Sequence, residues 1–117
     1  MKCNCNEIFK LKHLLSETNI PFEFYNRCYK IRNSDIESWQ IIVPNITNKV
    51  ISIIEGVGTF GYAEDKLEIQ GLLTDYEKEF DNVVGGLTAN EVMKRIEEYN
   101  IKINGKWWDK WNLHLGI

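Results

Sequence analysis

Apolar residues recur at helical spacing towards both ends of this chain and at strand-like spacing between them. In residues 6–18, Ile8, Leu11 and Leu15 form a stripe that Phe9 and Leu14 widen. That pattern predicts an amphipathic helix. Asn6 is its candidate N-cap, Asn19 can close it, and Pro21 keeps it from resuming. Residues 22–32, FEFYNRCYKIR, alternate in character and are rich in aromatics, which predicts a strand bent near Asn26. Asn33-Ser34-Asp35 reads as a turn. A second strand is predicted over 38–43, SWQIIV, ended by Pro44-Asn45. A third covers 49–55, KVISIIE, whose strongly apolar run suits the centre of a sheet.

Gly56, Gly58 and Gly61 then mark a tight turn or a bulged edge. Residues 67–72 are a short strand or an extended entry to a loop. Residues 74–81 are an acidic helical turn that Gly85-Gly86 breaks. Thr88 lies three residues before Glu91, the spacing of a capping box. Behind it Val92, Ile96 and Tyr99 repeat at helical spacing, predicting a second helix from about Ala89 to Asn100. Asn104-Gly105 is a turn dipeptide, and the tail that follows carries Trp107, Trp108 and Trp111. Rings of that size must pack on the domain or on a partner chain.

The order helix, strands, helix predicts an α+β fold. A single antiparallel sheet of three to five strands receives an N-terminal helix and a C-terminal helix on one face. At 117 residues the chain is expected to be one domain with one core. Its net charge of −3 argues against a general nucleic-acid binder. The charge is uneven: Glu64 to Glu98 holds ten acids and four bases, a net of −6, and the rest holds seven acids and ten bases, a net of +3. Acidic and basic faces can meet in a symmetric assembly or stay solvated on a monomer. No apolar run of about 18 residues is present, and MKCNCNEIFK lacks the apolar segment of a secretory signal. With an odd number of cysteines (Cys3, Cys5, Cys28), a reducing cytosol is the expected compartment.

No residue set singles out a reaction. Cys3-x-Cys5 with Cys28 and His13 lacks the paired spacing of a zinc site, and Cys28 reads as a small strand hydrophobe. His13 and His114 have no patterned nucleophile. Asp75, Glu77, Glu79 and Asp81 alternate in a polar loop where all should stay solvated. Gly56-x-Gly58-x-x-Gly61 matches dinucleotide-loop spacing, yet no helix opens after it, so a bulge or hairpin is the expected role. Catalytic residues, metal ligands and cofactors are therefore expected to be absent. What remains is a binding group. Phe80 is a ring in an acidic loop, and Asn90, Lys94 and Arg95 share the exposed side of the second helix. A ring to stack a base, an amide to read its edge and cations for phosphates suit a nucleotide. On composition alone, Phe80 can equally tuck under the helix against Val92.

The runs LKHLLSETNIPFEF (11–24), GTFGYAEDKLEIQGLLT (58–74) and VVGGLTANEVMKRIEEY (83–99) resemble small proteins encoded by phages of Gram-positive bacteria. Among these the chain is most similar to the Thoeris anti-defence sponge family. That resemblance implies a symmetric homo-oligomer of small α+β subunits in the host cytoplasm. It would bind a cyclic ADP-ribose-type nucleotide without cleaving it and so block TIR-based immunity. Under it Phe80 and Asn90 fall where the base-stacking ring and the polar clamp are expected, and Lys94 and Arg95 complete the ligand-binding set read above; the charge and the missing apolar run leave neither nucleic acid nor membrane as an expected partner. The tryptophan-rich tail departs from the shorter ends of such proteins. Two other readings stand beside this one: an acidic inhibitor whose 64–81 face binds a host defence nuclease, and a small hydrolase of such signals.

Overall fold

The computed structural model describes residues 5–56 and 65–104, except the side chains of Tyr29, Ile31, Ile103 and Asn104. Helix α1 (Asn6–Glu17) buries Ile8, Leu11 and Leu15, the predicted stripe. Asn6 is its first helical residue, not its cap. Cys5 occupies the cap position and offers no side-chain cap bond. The helix closes as expected at Asn19, which takes a left-handed φ of 59°. The N–H of Ile20 reaches back to the Leu15 carbonyl at 3.3 Å and that of Asn19 to Ser16 at 3.5 Å. This is the paired closure that satisfies orphan carbonyls at a helix end.

Strand β1 (Glu23–Asn26) ends at the expected bend, and β2 (Tyr29–Ile31) starts beyond it. The segment read as a turn is instead a strand, β3 (Ser34–Ile36), antiparallel to β2. The turn lies one step earlier, at Arg32 and Asn33, with φ of 51° and 68°. Two successive positive φ values give the turn whose twist matches a tight hairpin. Strands β4 (Ser38–Val43) and β5 (Ile51–Gly56) lie near their predicted places, and β6 (Leu67–Gln70) follows. A four-residue helix α2 (Asp75–Lys78) comes next, then β7 (Val84–Leu87) and α3 (Ala89–Asn104).

The main sheet has five strands in the order β1-β4-β5-β6-β7, with every neighbour antiparallel. Alternation sends Ile41, Val43, Ile51, Ile53, Leu67 and Ile69 to one face. There they share a core with Ile8, Leu11 and Leu15 of α1 and with Ala89, Val92, Met93 and Ile96 of α3. Both helices thus pack on the same face, giving the expected α+β arrangement. Phe9, Phe24 and Trp39 close one end of this core with ring centroids 5.1–5.6 Å apart. The other face is polar along its middle. Arg27 Nε donates to Gln40 Oε1 at 2.7 Å, and Gln40 Nε2 donates to Ser52 Oγ at 2.7 Å.

The Gly85-Gly86 pair does not interrupt the sheet. It sits inside edge strand β7, where Leu67 faces Leu87 but Ile69 faces Val84. Three steps along β7 therefore answer two along β6, which is a bulge. Gly86 supplies the positive φ of 76° that this extra residue needs.

Candidate functional site

Two clusters of polar side chains fall where helices meet other elements, one buried and one open. The buried one begins with Glu55 near the end of β5. Its register with Ile51 and Ile53 turns the side chain into the core, where it is 0% exposed. Glu55 Oε1 accepts the N–H of Ile8 at 3.0 Å, and Asp65 Oδ1 accepts the N–H of Glu7 at 3.0 Å. Two carboxyl groups from the sheet side thereby serve the first turn of α1, which has no cap of its own. Glu7 does the same for α3: its Oε1 accepts the N–H of Ala89 at 2.7 Å.

Burial, and then the hydrogen bond to Asp65, push the Glu55 carboxyl up to about 9, so it is neutral at pH 7. A hydrogen bond between two carboxyl groups needs a proton on one of them, and the raised Glu55 holds it. Burial also acts to raise Asp65. The bonds from Glu55, Glu7 and Asn6 outweigh it and hold Asp65 below its ordinary value. One protonated and one ionised carboxyl is the pattern of acid–base chemistry. Here Glu55 is sealed from solvent and the pair is occupied with a helix start, so the arrangement serves the fold.

The open cluster lies between α3 and residues 72–74. It is a groove of about 560 Å³. Leu72, Leu73 and Thr74 form one wall; Glu91, Lys94, Arg95, Glu98, Tyr99 and Lys102 form the other. Those α3 positions are three or four residues apart, so they lie along one side of the helix. The buried stripe of Ala89, Val92, Met93, Ile96 and Asn100 holds the core side. Three cations face two carboxylates in this groove, against the acidic balance of the surrounding sequence.

Arg95 ties the groove to α2. Its Nη1 and Nη2 each reach a Glu77 carboxylate oxygen at 2.7 Å, and Nη1 also donates to the Leu72 carbonyl at 3.1 Å. Glu77 is at the same time the third residue of a capping box. The N–H of Thr74 donates to Glu77 Oε1 at 2.8 Å, and the N–H of Glu77 donates to Thr74 Oγ1 at 3.1 Å. The Arg95 guanidinium holds the Glu77 carboxyl down at about 2, and Glu77 in turn raises Arg95. Lys94 is only loosely engaged, 3.9 Å from Glu98 with both side chains exposed.

Of the four residues the sequence points to, Lys94 and Arg95 line the groove. Phe80 does not: it is 71% exposed and packs on Tyr76, with centroids 4.9 Å apart. It is no staple against Val92, which is fully buried. Asn90 is exposed in the first turn of α3 and is not a lining residue. Tyr99 and Lys102 also line the groove, and Glu77, expected to be solvated, is paired with Arg95 instead. Two signals were available: Thr74-x-x-Glu77 repeats the capping-box spacing of Thr88-x-x-Glu91, and 91, 94, 98 and 102 share one helical face. Tyr99 is half-buried in the groove wall and is not part of the core cluster, which Met93 joins.

His13 is exposed and lies 2.9 Å from Glu17. Cys28 is exposed between β1 and β2, so it is not a strand hydrophobe. Among the described residues, no group of three His, Cys, Asp or Glu is placed to hold a metal ion, and no helix is long and apolar enough to cross a membrane. Cys3, Gly58, Gly61, Gly105, Trp107, Trp108, Trp111 and His114 lie outside the described residues. No protein-family model, no curated protein and no solved structure matches this chain.

Proposed function

We propose that this protein binds a small phosphorylated nucleotide of the cyclic ADP-ribose type in the α3 groove and holds it without cleaving it. The supporting observation is the groove itself, of about 560 Å³, with Lys94 and Lys102 in its lining. That volume falls within the usual range for small-molecule sites. Lys94 and Lys102 are eight residues apart on one side of α3, about 12 Å along the axis at the helical rise. Anionic groups of the ligand would meet these two ammonium groups. Leu72, Leu73 and the Tyr99 ring give an apolar wall for a ribose or base edge. Arg95, already forked onto Glu77, shapes the wall. Phe80 and Asn90 enter this reading through the sequence and the resemblance to anti-defence sponges, not through the groove lining, and the homo-oligomer and the block of TIR-based immunity enter through that resemblance.

Calorimetry with purified protein and cyclic ADP-ribose isomers tests the reading. Binding should weaken at least tenfold in Lys94→Glu/Lys102→Glu, and mass spectrometry should recover the ligand unchanged after heating. No heat at high micromolar ligand, or recovery of a hydrolysed product, ends it.

A further inference from the structure

Helix α2 buries none of its four residues. Yet it is fixed at its start by the Thr74–Glu77 capping box and along its body by the Arg95 fork. A four-residue helix is not stable by itself, so these bonds are what hold its shape. Helix α2 displays the Tyr76 ring, and Phe80, whose N–H donates to the Glu77 carbonyl at 3.1 Å, follows in the turn after it. Tyr76 and Phe80 are each 71% exposed, with centroids 4.9 Å apart and planes tilted by 58°. Asp75, Glu79 and Asp81 lie exposed in the same short segment as the rings, against the single cation Lys78. Glu77 is neutralised by Arg95. Rings this exposed do nothing for the core. They are the side chains that anchor protein–protein contacts.

Ring faces attract cations, and a guanidinium stacks on them better than an ammonium. The carboxylates around the rings add the matching sign of charge. We propose that the Tyr76–Phe80 knob is a docking surface for an arginine-bearing basic surface of another protein. The knob is distinct from the groove, whose lining contains neither ring.

Fluorescence anisotropy with a labelled (Arg-Gly-Ser)4 peptide tests this, with (Lys-Gly-Ser)4 as the matched probe. The arginine peptide should bind the wild type several-fold more tightly than the lysine peptide. Tyr76→Ala/Phe80→Ala keeps every charge and should weaken binding at least tenfold. Asp75→Asn/Glu79→Gln/Asp81→Asn should weaken it and flatten its salt dependence. All these residues are exposed, so each variant should melt with the wild type, which separates lost docking from lost folding. Lys94→Glu/Lys102→Glu should bind the peptide at least as well as the wild type, which separates knob from groove. Absence of arginine-peptide binding at high micromolar concentration overturns the proposal, as does equal binding by the ring variant. A wild-type dimer in light scattering that Tyr76→Ala/Phe80→Ala abolishes would assign the knob to a second copy of this chain and overturn it too.

Discussion

Glu55 and Glu77 carry the same side chain and do the same local task, accepting a backbone N–H at the start of a helix. They end in opposite states. Glu55 is sealed among apolar side chains beside another carboxyl group and is pushed up to about 9. Glu77 lies at the surface in the fork of Arg95 and is held at about 2. The chemical group does not decide which outcome follows. Low dielectric and a neighbouring acid favour the protonated form; a bidentate guanidinium favours the ionised one. One clasp is part of the core, and the other fixes a surface feature.

The largest expected effect is at the buried clasp. Glu55→Ala removes the acceptor from the Ile8 N–H and the proton from Asp65, and it leaves a void. The loss should be about 3 kcal/mol in urea unfolding. Glu55→Gln keeps an acceptor for Ile8 and an N–H for Asp65, so it should be nearly neutral at pH 5. The two variants then part with pH. Glu55 has a folded value of about 9 and an ordinary one of 4.5. Between those values the folded state keeps a proton that the unfolded state has lost. Stability therefore falls as pH rises through that window, by at most about 1.4 kcal/mol per pH unit. Glu55→Gln should remove that alkaline slope. A wild-type stability that is flat from pH 6 to 9 would break the contrast between the two clasps.

Glu77 gives the opposite sign. Its folded value lies below the ordinary one, so its contribution is present above about pH 4.5 and fades as pH falls towards about 2. Arg95→Ala should cost about 1–2 kcal/mol in urea unfolding. Its stronger signature is local, in faster amide exchange at residues 77–81 while exchange in α3 is unchanged. Simultaneous loss of protection in α3 would mean that the surface clasp is part of the core after all. The smallest effects come from the two capping boxes. Thr88→Ala frees the Glu91 N–H, now 3.2 Å from Thr88 Oγ1, and should lower stability by about 1 kcal/mol. Thr74→Ala should cost less in the same unfolding measurement, because α2 buries nothing that its loss would expose.

The elements that were legible in the sequence are those with long periodic patterns. The stripe of Ile8, Leu11 and Leu15, the runs at 38–43 and 49–55, and Val92 with Ile96 all lie where periodicity puts them. The capping box at Thr88 forms as spelled. Strand β3 was hidden because Asn33-Ser34-Asp35 has turn composition, and only the positive φ at Arg32 and Asn33 shifts the turn back by one residue. Strand β7 was hidden because a glycine pair reads as a break, although a bulge on an edge strand needs such a residue. At the site, Lys94 and Arg95 were legible from helical spacing. That Arg95 is committed to Glu77 while Lys102 joins the groove was not.

By itself the sequence determined what repeats locally: helix faces, strand alternation, one capping box and the order of elements in an α+β chain. These follow from backbone geometry, which acts over a few residues. Only the tertiary structure brought Ile8 to Glu55, Ala89 to Glu7 and Arg95 to Glu77, across 47, 82 and 18 positions. Burial and pairing at that range set protonation and exposure, and neither is encoded in the spacing of neighbours along the chain.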